Sequence, residues 1–201
     1  MDERIREAIR GMAEENAGAT NENPAFWQLM SGPNTGELLE RIELLHNGTQ
    51  AEREFAARAL ANVRIPSPDR LNRLRRLLKD ERDPKVIRWL VGGLRNVRDP
   101  SALANVRNLV QHPSPHVRFV VPDALSACAA SFDDVADDLL RLSRDADPDV
   151  RWSAVFELAE WLTDVDDARI LSRLSELADS DESEDVRYVA ANAVAQQRDD
   201  D

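Results

Sequence analysis

The chain of 201 residues has a single cysteine, Cys128, so no disulfide can form within it. Its start, Met1-Asp2-Glu3-Arg4, leads into no apolar leader, and the expectation is a soluble cytoplasmic protein. Long hydrophobic runs are missing too. The longest candidates, such as Trp89 to Leu94, are short and interrupted by glycine, well below the roughly 18 to 20 residues that span a bilayer. Cations are scarce relative to acids, 26 against 38, and the net charge of -12 argues against a protein that coats a polyanion, so nucleic acid is not the expected partner. Lysine is almost absent: Lys79 and Lys85 stand among 24 arginines. Glycine-rich phosphate loops are lacking, since Gly92-Gly93 falls inside a predicted helix.

The total conceals a pattern. Residues 1–63 carry a net -5, residues 64–118 a net +8, and residues 119–201 a net -15. A basic middle therefore lies between two acidic flanks, and this asymmetry bears on partners more than the sum does.

Against itself, the chain repeats. Asp83-Pro84-Lys85-Val86, Ser114-Pro115-His116-Val117-Arg118, Asp147-Pro148-Asp149-Val150-Arg151 and Ser183-Glu184-Asp185-Val186-Arg187 share one helix-start pattern. An earlier, weaker copy runs from Glu52 to Leu60, with Glu52 in the Val position. Units of this period mark a solenoid, in which no unit can bury its apolar face without its neighbours. Asp or Ser before Pro supplies a cap oxygen to free amides, and Pro at the first helical position loses no hydrogen bond. Apolar residues fall at helical spacing, as in Val150, Ala154, Val155, Leu158 and Leu162, and no stretch alternates. The pattern predicts an all-α chain with five helical pairs: 34–46 with 50–62, 67–80 with 84–96, 100–111 with 115–129, 132–144 with 148–162, and 166–179 with 184–197.

Paired helices whose second member opens in Asp-Pro-x-Val-Arg, followed by small residues and Leu, resemble HEAT repeats, particularly the short bacterial and archaeal kind also found in phycobilin lyases. The Asp147 to Leu158 copy carries the likeness best, while Ile87 stands where Arg is expected and the first unit keeps only Arg53. The resemblance covers residues 34–197, in units of about 34–63, 64–97, 98–130, 131–163 and 164–197. It implies a right-handed α-α superhelix whose second helices line the concave side. Outside it, residues 1–33 read as an amphipathic helix from Asp2 to about Asn16 and a capping segment, with Phe26, Trp27, Leu29 and Met30 covering the first unit. Residues 198–201 read as an acidic tail.

Chemistry is hard to find. His112 and His116 are separated by Pro113 and Pro115, and no third ligand lies nearby, so neither a metal nor any other cofactor is expected. Cys128 sits among alanines with no adjacent base. The solenoid hydroxylases that the fold resembles use repeated His-Glu dipeptides, which are missing here. Acid runs such as Asp133-Asp134 and Asp137-Asp138 open helices, where carboxylates meet the positive dipole end. No catalytic residue is assigned.

Binding is the remaining reading. Counting from the repeat Val as zero, positions three, four, seven and eight form the core stripe, and position two faces away from it. That position reads Glu54, Arg88, Phe119, Trp152 and Tyr188. Position six reads Arg58, Gly92, Asp123, Phe156 and Asn192, so that Trp152 and Phe156 share a patch edged by Glu157 and Glu160. Gly92-Gly93 and Pro122 predict a notch or kink between the second and third units, lined by Arg88, Arg95 and Phe119. Arg118, Arg151 and Arg187, at position one, are read as packing stems that pair with acids of adjacent units. The expected function is a non-catalytic interaction module or scaffold, a monomer that grips a protein partner with a basic surface through Arg88, Arg95, Phe119, Asp123, Trp152, Phe156, Tyr188 and Asn192. The alternative, carried by the resemblance, is a phycobilin-lyase-like enzyme or chaperone binding a flat hydrophobic ligand in the concave groove.

Overall fold

A computed structural model describes residues 2–16, 23–31, 40, 42–62 and 67–200. Among these, all regular structure is helical and no strand occurs. The longer helices are α1 (Glu3–Asn16), α2 (Pro24–Met30), α3 (Gln50–Asn62), α4 (Ser67–Asp80) and α5 (Pro84–Val97), followed by α6 (Leu103–Arg107), α7 (Pro115–Arg118), α8 (Val121–Cys128), α9 (Ala136–Leu142), α10 (Pro148–Leu162), α11 (Ala168–Ser180) and α12 (Glu184–Asp200). Short 3-10 turns at Leu44–Asn47, Pro100–Ala102 and Phe132–Asp134 complete the set. Most of the predicted helix 34–46 lies outside the described residues. The chain divides into two compact units, Met1–Val97 and Arg98–Asp201.

In the first unit, α1 and α2 close a core with α3. Ile5, Ala8 and Met12 of α1 meet Phe26 and Leu29 of α2 and Phe55, Ala56 and Ala59 of α3, with Ile42 beside them. Asn23 fixes the entry to α2: its Oδ1 accepts from the Phe26 amide at 3.0 Å and its Nδ2 donates to the Ala8 carbonyl at 2.8 Å. A side chain at Gly11 would put its Cβ 2.7 Å from that same Oδ1 and so displace the capping amide. The segment thus caps through Phe26, Leu29 and the half-buried Met30, while Trp27 is exposed. On the other side, α3 packs on α5 and α4 on α5. Gly93 permits this approach, because a Cβ would come within 2.6 Å of Leu74 and 3.3 Å of the Ala61 backbone, whereas beside Gly92 there is open space.

The second unit keeps the helix starts but breaks some helices. Asp147 Oδ1 accepts from the Asp149 and Val150 amides ahead of the uninterrupted α10, and Asp99 caps Ser101 in the same manner. Ser114 makes no such bond; its own amide donates instead to His112 Nδ1 at 3.1 Å. The predicted helix 115–129 is split into α7 and α8, with Pro122 in the first turn of α8, where its missing donor is tolerated. The stretches expected as helices 100–111 and 132–144 each begin as 3-10 turns and continue as the short α6 and α9. Cys128 is fully buried.

Candidate functional site

A repeated arginine clamp sets the geometry of the second helices. Arg118 Nε and Nη2 each bond Asp145 at 2.7 Å, and its Nη1 donates to the His112 and Pro113 carbonyls. Arg151 pairs with Asp181 at 2.8 Å through the same two nitrogens while its Nη1 holds the Asp145 and Ala146 carbonyls. Arg53 repeats the pattern with Glu81 and the Gly48 carbonyl. Each arginine, at position one of its repeat, ties its own interhelical turn to the acid five residues before the next repeat Val. Arg187 keeps the carbonyl half of the arrangement, at Asp181 and Glu182.

These carboxylates hold two jobs. Asp145 and Asp181 also accept from the Asp147 and Ser183 amides. Burial alone would raise both carboxyls, but the arginine bonds, the turn amides and the guanidinium charges outweigh it and hold them below the usual carboxylate range. The clamped arginines move the other way, Arg118 and Arg151 being raised chiefly by their bonds to Asp145 and Asp181. The acid at minus five was not recognised in the sequence, although Glu81, Asp145 and Asp181 recur at that register. In the join between the second and third repeats both partners of the motif are replaced, by Ile87 and His112.

With its arginines occupied, the second-helix face of residues 98–201 is left to aromatics and acids. Phe119 and Trp152 stack with ring centroids 6.5 Å apart at 15°, and Trp152 and Phe156 at 5.8 Å and 25°, in the offset-stacked range. Phe119 and Trp152 are half-buried, Phe156 is 44% exposed and Tyr188 68% exposed. The structure therefore brings Phe119, Trp152 and Phe156 together; Tyr188 makes no ring contact among the described residues. Asp123 is half-buried and Asn192 exposed. Trp161 is used differently, donating Nε1 to Ser126 Oγ at 3.1 Å and lying against Phe132.

Arg88 and Arg95 project from α5 in the first unit, and both are exposed. In the first repeat the same register is covered. Glu54 and Arg58 are 4% and 7% exposed, and the Arg58 guanidinium lies 4.5 Å from the Phe26 ring centroid and 5.0 Å from that of Trp89. Position two is thus outward only beyond the capped end, because α2 contributes a ring to cover the first repeat. This unit also holds a cavity of about 570 Å³ between the 3-10 turn at Leu44–Asn47 and helices α4 and α5, lined by His46, Arg53, Arg76, Glu81, Val86 and Leu90 among others. Burial lowers the His46 pKa, with Glu43 opposing and Arg76 assisting. Among the described residues no group of His, Cys, Asp and Glu is arranged to hold a metal.

The family model for HEAT repeats matches residues 80–159 and again 135–201. The chain belongs to the HEAT-repeat family. HEAT repeats generally mediate protein–protein association or scaffolding and are typically not enzymes. Among solved structures, this HEAT-repeat chain is similar to YibA of Escherichia coli, with 18% identity and a TM-score of 0.64 over 88% of this chain and 65% of that one. At that identity the likeness is one of fold, and this chain spans somewhat less than two thirds of YibA. No curated protein matches it. Among the described residues of this HEAT-repeat protein, no helix is long and apolar enough to cross a membrane.

Proposed function

We propose that this protein is a non-catalytic binding module that receives a protein partner with a basic surface on the second-helix face of residues 98–201. The observation that carries the reading is the aromatic strip Phe119-Trp152-Phe156, half-buried at its first two rings and open to solvent at Phe156, with the exposed Tyr188 further along the chain, among arginines already tied to turns. Aromatic side chains of this kind are favoured anchors of protein interfaces. In this reading residues 34–197 form five repeats behind an amino-terminal cap, the module works as a monomer, and Asp123 and Asn192 extend the contact surface of residues 98–201. A flat-ligand lyase would need an enclosed aromatic cavity, and the exposure of Phe156 and Tyr188 gives that alternative no support.

Affinity capture from host lysate with the wild-type chain and with Trp152→Ala/Tyr188→Ala tests the proposal. The double variant is expected to lose partners that the wild type recovers; identical recoveries would refute a role for the strip. Association with a captured partner should also slow as salt rises from low to moderate levels, since the acidic face steers the encounter.

A further inference from the structure

Resting on that reading, we infer that the group seated on the aromatic strip is an arginine side chain of the partner, stacked on Phe156 beside Trp152 and paired with Glu160, with Asp149 adding its charge beyond the other end of the rings. Three observations converge on guanidinium rather than on apolar or generally cationic chemistry.

The first is the charge of the face. Between residues 115 and 197 the second helices carry the carboxylates Asp123, Asp149, Glu157, Glu160, Glu184 and Asp185, and no lysine. Their only arginines, Arg118, Arg151 and Arg187, all donate to turn carbonyls, and the first two are also locked to aspartates. The second helices that carry the strip therefore hold six carboxylates and no lysine or arginine that is not already bonded within the chain.

The second is spacing. Along α10, Asp149, Trp152, Phe156 and Glu160 follow at intervals of three, four and four, which puts them on one helical face. Glu160 and Asp149 are exposed and flank the two rings from either end. Glu160 lies one turn beyond Phe156 and Asp149 one turn before Trp152, so a planar cation over Phe156 has Glu160 as its neighbouring carboxylate.

The third is the chain's own use of the same pairing. In the first repeat, position six is Arg58, set between the rings of Phe26 and Trp89. In the second unit, Arg169 lies over Phe132 at 6.0 Å. The rings of Phe119, Trp152, Phe156 and Tyr188 have no guanidinium over them among the described residues, although they occupy the register that the first repeat fills with Glu54 and Arg58. What the first repeat closes with its own arginine and its own α2, the later repeats leave for another molecule. Guanidinium stacks on aromatic faces and binds carboxylates in a planar fork, which a compact ammonium does not do.

The test uses the full chain and three synthetic peptides of one sequence that differ only in carrying arginine, lysine or glutamine at the basic positions. Affinity is measured by calorimetric titration, and the site is read from the indole and backbone amide NMR signals of Trp152 and Tyr188. The arginine peptide should bind about three- to tenfold tighter than the lysine peptide and perturb Trp152. Phe156→Leu and Trp152→Leu, which keep an apolar side chain but remove the π face, should erase the arginine preference while leaving the circular dichroism unchanged. Glu160→Gln/Asp149→Asn should weaken arginine and lysine peptides alike. Equal affinity for arginine and lysine, or binding that leaves Trp152 and Tyr188 signals unmoved, would overturn the inference, as would no binding at all. Tight binding of the glutamine peptide at Trp152 would also overturn it while leaving the second-helix face as the binding surface, so the two readings fail separately.

Discussion

Asp181 shows how much one side chain can be asked to do. It accepts two bonds from Arg151 and one from the Ser183 amide, and it is almost wholly withdrawn from water, with 4% of its side chain exposed. Asp181→Asn keeps the shape but strands a guanidinium, and should cost about 2–3 kcal/mol in urea unfolding. The pH dependence follows from the same bonds. Because Asp145 and Asp181 titrate below their unfolded values, their stabilisation is complete above the usual carboxylate pKa and drains away as pH falls through the lowered folded values. Acid titration of unfolding free energy should therefore show a steep loss below about pH 4, and Asp145→Asn/Asp181→Asn should flatten it; an unchanged acid limb in the double variant would contradict the assignment. At this scale the sequence was partly legible. The arginines at position one could be read as structural because they recur beside the repeat Val, but their acids lie in interhelical turns 27 to 30 residues away and follow no helical period. Only the superposition of repeats exposes them.

Among the elements, adjacent glycines in α5 separate two kinds of constraint. Gly92 faces open space, so Gly92→Ala should stabilise the helix by up to about 1 kcal/mol, the difference in helix propensity. Gly93 lies against Leu74 and Ala61, so Gly93→Ala should destabilise despite the same propensity gain. Thermal melts of the two variants moving in the same direction would argue against this packing. The sequence marked the pair as a packing or binding feature without distinguishing its members, since both look alike until α4 is placed against α5. Asn23→Ala removes both the α2 cap and the bond to the Ala8 carbonyl, and should cost about 1–2 kcal/mol and loosen α2 first, detectable as increased proteolysis near residues 23–31. The long α10 was legible to the residue because Asp147-Pro148 and an unbroken apolar stripe agree. The third repeat and the start of the fourth were not: Pro122 signalled a break in 115–129, but the 3-10 starts at Pro100 and Phe132 follow from turn bonds that no periodicity encodes.

For the molecule as a whole, the net charge of -12 is a poor guide to any one surface. The acidic excess of residues 119–201 includes carboxylates spent internally on Arg118, Arg151, Arg107 and Arg169. On the second helices of residues 98–201, Asp149, Glu160, Phe156 and Tyr188 are exposed, while the exposed cations Arg88 and Arg95 belong to the first unit. The aromatic register proposed as the site was legible as a pattern, because one register repeated across units is visible without coordinates. The burial of Glu54 and Arg58 at the same register was not, since it depends on α2, which lies outside the repeat.

The arginine clamp has a consequence for how such a chain can change in length. Its two halves sit in successive repeats at one fixed register, and neither half depends on which repeat supplies the other. Excising residues 131–163 would set Arg118 before Asp181 at the spacing Arg151 now has, 30 positions, so the shortened chain meets the same bond with a different donor. Where the clamp is present it behaves as a standard coupling, so a chain shortened by that one repeat should still fold with the joint intact, which circular dichroism and urea unfolding of the excised chain would check.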